Sequence, residues 1–239
     1  MDITAVAASG MQNDLRRVET ISQNMANLLT PGYKKQILLS SSFARQVDGG
    51  LAQSVTASGP SMTALNIDPA AGTLRYTGNP QDMAIDGTAF FEVAGPQGPA
   101  YTRQGGFHVD VRGRLVNAQG YPVMGMGGEI VLSGPYAIDP NGDVRQGDQV
   151  LARLKLVHFS NPEALEPQGG GGYRQGGAVQ ATPETPSSLR VGYQENSNVN
   201  SAQEMVRLTE TVRHFEAMQK VMQGYDDSLE KTIRKLGDF

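Results

Sequence analysis

Cysteine is absent from the 239 residues, which excludes disulfide frameworks, thiolate metal sites and cysteine nucleophiles together. Tryptophan is absent too. Aromatics make up 6% and apolar residues 38%, so the core is thin for the chain's length. No run approaches the roughly 18 apolar residues a membrane-spanning helix needs. Met1-Asp2-Ile3-Thr4 lacks a basic segment followed by an apolar one. Neither direct membrane insertion nor a cleaved export signal is therefore expected. A basic excess is also missing: 20 Lys and Arg stand against 24 Asp and Glu, a net charge of -4. That balance offers no electrostatic footprint for nucleic acid.

Helix breakers are scarce at the two ends. All 13 prolines lie between Pro31 and Pro186, and 26 of the 29 glycines lie between Gly32 and Gly192. The ends can be helical and the middle cannot. Near the N-terminus, Ala7, Met11, Val18, Ile21, Met25 and Leu28 follow a 4-3 heptad spacing that only Asp14 interrupts. Thr30-Pro31-Gly32 then stops the helix, predicted to end near Leu29, with Gly32 taking positive φ at the corner. At the other end Ser201 and Glu204 have the spacing of a capping box. Beyond it Met205, Leu208, Val212, Phe215, Met222, Leu229, Ile233 and Leu236 occupy heptad positions, with Gln219 and Asp226 as exceptions.

Between the helices, the stretches 83–93, 100–109 and 114–124 read as strands. Asp86-Gly87, Arg112-Gly113 and Asn141-Gly142 are turn signals, and 168–177 reads as a flexible Gly-rich loop. The predicted fold class is α+β, with N- and C-terminal coiled-coil-like helices and an inserted all-β domain. Its parts are an N-terminal axial helix over 1–30, an extended excursion with about two strands over 31–80, the β domain over 81–195 and the C-terminal helix over 196–239.

Sites of chemistry are hard to find. His108, His158 and His214 are far apart and match no metal-binding spacing; His108 reads as a strand-face residue and His214 as part of the polar helix face. Asp139-x-Asn141-x-Asp143 begins like a calcium loop, but Val144 and Val150 stand where the glycine and bidentate glutamate belong. The run Gly169–Gly172 lacks the Lys-Ser/Thr of a phosphate-binding loop. Asp82 and Asp86 have no nearby His or Lys in sequence to tune them. No catalytic residue, metal or cofactor is expected. The arrangement of the ends is more informative, because two heptad seams can pair with each other in a monomer or with other subunits in an open filament.

Four ordered motifs resemble the bacterial flagellar rod and hook protein family. Asn24, Ala26, Asn27, Thr30, Gly32 and Tyr33 match its N-terminal signature. The stretches 79–93, 101–107 and 113–123 resemble its β domain. Asn196-Ser197-Asn198-Val199-Asn200, followed by Glu204-Met205-Val206, resembles its C-terminal signature. The interval before residue 79 is short, and Ser61-Met62-Thr63-Ala64-Leu65-Asn66 with Arg213-His214-Phe215-Glu216-Ala217 is most like the proximal-rod branch; a distal-rod or hook-type protein, or a secreted coiled-coil surface protein, is the alternative.

The resemblance implies a structural subunit exported without a cleaved signal through the flagellar type III apparatus. It implies assembly with copies of itself and other rod proteins into an axial filament across the periplasm. In that filament the terminal helices would form the inner tube and the β domain would lie outside, with no cofactor. Met11, Val18, Ile21, Met25 and Leu28, with Met205, Leu208, Val212, Phe215, Met222, Leu229 and Ile233, are the expected assembly seam. The signature asparagines are expected to satisfy orphan groups at helix ends or to bridge to a neighbour.

Overall fold

The computed structural model describes residues 3–39, 64–182 and 187–237, and the chain divides into two compact units. The first contains helices α1 (Ile3–Ala26) and α2 (Ser201–Gly237). The second, Ala26–Ile37 with Leu65–Val199, takes its regular structure from short strands joined by turns, with one 3-10 turn at Pro162–Ala164. The mixed α+β content follows the distribution of proline and glycine.

α1 ends at Ala26, three residues before the predicted stop. The cause is local: the Asn27 carbonyl takes the Thr30 amide at 3.1 Å, and the Asn27 side chain takes the Thr30 hydroxyl at 3.1 Å. A tight i to i+3 turn thus replaces the next helical bond. At the start of α2 the cap is Asn200 rather than Ser201. Its Oδ1 accepts the Gln203 amide at 3.2 Å and its carbonyl accepts the Glu204 amide at 3.0 Å. Glu204 is then one position too far along to close a capping box, and its carboxylate turns elsewhere.

In the β unit a six-stranded sheet runs, in spatial order, Glu166–Gly169, Gly172–Arg174, Gly98–Thr102, Phe90–Gly95, Leu156–Phe159 and Gln180–Ala181. Successive side chains of a strand point to opposite faces, and the sheet accordingly separates two cores. Phe91, Val93 and Ala100 join Met83, Leu115 and Val123 on one side. Phe90 and Tyr101 join Ile67, Phe159 and Tyr173 on the other. The glycine run read as a flexible loop is instead the turn of a hairpin, with Glu166–Gly169 paired to Gly172–Arg174.

Within the excursion, Leu74–Tyr76 pairs with Tyr193–Glu195, and Ala64–Ile67 pairs with Gln36–Leu39. The rest of that segment, 40–63, lies outside the described residues.

Candidate assembly site

In the helical unit, α1 and α2 meet in one antiparallel register. Asn24 Nδ2 donates to Glu204 at 3.2 Å, and Asp14 Oδ2 lies 2.6 Å from His214 Nδ1. Met218 approaches Gly10. Steps of ten and then four residues along α1 are matched by equal steps in reverse along α2. On α1, Ala7, Asp14, Ile21 and Asn24 are buried, while Met11, Val18 and Met25 are half-buried; Leu28, expected on the same seam, is half-buried in the turn beyond the helix end.

On α2 the covered positions are Ser201, Glu204, Leu208, Thr211, Phe215, Met218, Met222 and Tyr225, again a 3-4 spacing. Leu208, Phe215 and Met222 thus lie on the covered face. Met205, Val212 and Ile233 do not: they are 55%, 41% and 68% exposed. The side chain of Leu229 lies outside the described set.

Polar residues on the covered face hide their polarity locally. Thr211 and Thr20 donate their hydroxyls to the carbonyls four residues back, at 2.8 and 2.9 Å. Asp14, the apparent interruption of the heptad, is buried against His214, whose ring stays partly exposed at the edge of the polar face.

In the β unit the two signature segments converge on buried charge. The Gly32 amide donates to the Glu195 carbonyl at 2.7 Å. Gly32 has φ 66, and a Cβ there would stand 2.5 Å from the Arg103 carbonyl carbon, so both backbone conformation and space call for glycine. The Asn198 amide donates to the Tyr33 carbonyl, and its side-chain Oδ1 accepts the Lys35 amide at 2.7 Å. Asn198 Nδ2 donates to the Asp68 and Ala70 carbonyls, both at 3.0 Å.

Enclosed by these bonds, Lys34 Nζ lies 2.6 Å from Glu195 Oε1 and 2.7 Å from the Ala70 carbonyl. The same carboxylate oxygen accepts the Gly72 amide at 2.8 Å, and the other lies 3.4 Å from Arg103 NH1. Arg103 also donates to the Gly87 carbonyl at 2.7 Å, and its guanidinium stacks 5.0 Å from the Phe90 ring centre. Lys34, Arg103 and Glu195 are each at most 3% exposed. Burial pulls the Lys34 ammonium below its ordinary range, and Glu195 opposes that pull. Burial also raises the Tyr173 hydroxyl, which accepts the Lys34 amide at 2.7 Å. One carboxylate and the carbonyls of residues 70 and 87 thus enclose two cations, an arrangement suited to locking chain segments together.

The remaining signature residues fall around this junction. Tyr33 and Val199 are buried, Ala26 is exposed, and Asn27 and Thr30 form the turn described above. Asn196 bonds Thr73, and Ser197 accepts the Val199 amide. Of the signature asparagines, Asn200 caps a helix and Asn198 crosslinks the junction. Sequence reasoning missed Lys34, Arg103, Glu195 and Tyr173 as a group; the signal for them was that Lys34 and Glu195 directly adjoin the two signatures and that Arg103 falls within the 101–107 stretch. His108 is exposed on a strand. His158 is buried, and burial followed by Arg103 lowers its pKa. Among the described residues no three His, Asp or Glu side chains gather as a metal site, and no helix is long and apolar enough to cross a membrane.

Three family descriptions match along the chain: "Flagella basal body rod protein" over residues 5–34, "Flagellar hook protein FlgE/F/G D1 domain" over 84–148 and "Flagellar basal body rod FlgEFG protein C-terminal" over 190–235. The flagellar basal-body rod protein FlgF of Mesorhizobium japonicum is 32% identical, covering 99% of this chain and 98% of that protein. FlgF of Caulobacter vibrioides is 29% identical, with 99% of each covered. FlgG of Bacillus subtilis is 28% identical over 94% of this chain and 95% of that protein.

Proposed function

The chain belongs to the flagellar basal-body rod protein family and is FlgF-like, a structural subunit of the rod; from that premise we propose that it polymerises through its terminal helices. The observation that carries the proposal is the apolar stripe on α2. Met205, Val212 and Ile233 share one heptad position, interrupted by Gln219 and Asp226, and stay exposed in the single chain, although burying a side chain of this kind is worth about 1.5–3 kcal/mol. Helices of neighbouring subunits would cover them in coiled-coil fashion, and the neighbours would be copies of this chain and other rod proteins. The place we assign is the proximal rod within the periplasm, reached through the flagellar type III apparatus, with no catalytic role and no cofactor.

The absence of cysteine makes the test clean. Val212→Cys and Ile233→Cys, introduced singly and treated with a bifunctional thiol-to-amine reagent, should crosslink to rod proteins in isolated basal bodies. The identity of each crosslinked chain separates proximal from distal placement. Cells whose only copy carries Val212→Asp should not swim. Normal swimming together with absent crosslinks overturns the reading.

A further inference from the structure

A cleft of about 550 Å³ opens on the β unit beside the turn 117–121, floored by Ala100, Thr102 and Gly172. Four amide side chains line it, Gln97, Asn117, Gln119 and Gln168, and the first three are each anchored at one end and unengaged at the other. Asn117, 3% exposed, accepts the Gln119 and Tyr121 amides on Oδ1 at 3.1 and 2.8 Å. Backbone N–H groups only donate, so these bonds fix the orientation of the amide and leave Nδ2 as a donor without a partner among the described residues. Gln119 donates Nε2 to the Gly170 carbonyl at 2.9 Å, which leaves its oxygen free to accept. Gln97 accepts from Arg174 at 3.3 Å, which leaves its nitrogen free to donate.

The glycine run builds the rim. Gly169, Gly170 and Gly171 take φ of 87, 58 and 75, a turn that presents the carbonyl holding Gln119. Arg174, the cation lining the cleft, is already paired with Glu166 at 3.0 Å, and no carboxylate lines the cleft among the described residues.

We propose that this cleft binds a segment of neutral oligosaccharide. Preset donors and an acceptor on anchored amides match hydroxyl and acetamido groups, which both donate and accept. The ring of Tyr121 and the side chain of Pro167, both partly exposed, offer apolar surface to the C–H faces of a sugar. A charged ligand would find no unpaired counter-charge there. The strands Gly98–Thr102 and Gly172–Arg174 are paired on both sides, so an extended peptide cannot add to them as a further strand.

The test is titration of the full chain with chitotetraose, maltotetraose and an uncharged glutamine-rich peptide, followed by amide NMR. Saturable shifts at residues 97, 117 and 119 are expected with a saccharide, with a Kd on the order of 1 mM. Asn117→Asp keeps both accepting bonds but loses the donor, and should weaken binding about tenfold or more. Gln97→Ala should weaken binding in the same direction and, lying on an exposed residue, serves should the first variant unfold. No saturable binding of either saccharide overturns the proposal, as does undiminished binding by Gln97→Ala or preference for the peptide.

Discussion

Among the described residues Glu195 is the only carboxylate touching two buried cations, so its neutralisation acts on both. Glu195→Gln leaves Lys34 and Arg103 enclosed without a countercharge, and removing one member of a buried ionic group costs about 3–5 kcal/mol. Lys34→Met removes the other sign and leaves Arg103 and Glu195 balanced, so it should cost less. Urea unfolding of the two variants checks the order, which reverses if the junction is held by packing alone.

His158 supplies the pH dependence. Burial, followed by Arg103, lowers its folded pKa below the ordinary histidine value. The unfolded chain therefore takes up a proton that the folded chain resists. This contribution is intact above about pH 6.5, declines as pH falls through that value, and levels off below the folded pKa. Unfolding measured at about pH 7.5 and about pH 5.5 should find a smaller acid loss in His158→Gln than in the parent chain.

At the scale of elements, what was legible depended on whether polarity and burial coincided. Turns were readable where the backbone itself needs glycine. Gly32, Gly113 and Gly142 all take positive φ at corners read from the sequence. The heptad of α1 was readable because Ile21 and its neighbours are apolar and covered. On α2 the same rule chose Met205 and Val212 over Glu204 and Thr211, yet the latter two are buried. Nothing local reveals that a glutamate will find Asn24 from the opposite end of the chain, 180 residues away. Lys34, Arg103 and Glu195 were hidden for the same reason, since a buried charge is defined by partners distant in sequence.

The Asp14–His214 contact belongs to this scale as well. His214→Ala strands a buried carboxylate and should destabilise the helix pair by about 1–3 kcal/mol. Asp14→Leu with His214→Leu replaces the polar pair by apolar surface and should recover that loss. Hydrogen exchange of residues 7–24 reports on both, and additive losses in the double variant would show that the two side chains act independently.

Across the whole molecule, the two helices are unequal. Continuing their register sets Ile3 opposite Tyr225, so the remaining turns of α2, as far as Gly237, face no described residue of α1. Every side chain described from Asp226 to Arg234 is exposed, Ile233 at 68%. A helical segment of about twelve residues, roughly 18 Å long, is marginal in water without a partner. In the free chain it should exchange its amide hydrogens early, and in the rod a neighbouring helix should protect it. Ile233→Asp is then expected to leave the unfolding transition of the purified chain within about 0.5 kcal/mol of the parent. In cells it should abolish incorporation into basal bodies, because the charge would be buried only on assembly. Hydrogen exchange on purified protein and on isolated basal bodies, read with a swimming assay, tests the two halves together. Equal exchange of residues 226–237 in both states, with normal swimming of the Ile233→Asp strain, would show that the overhang takes no part in assembly.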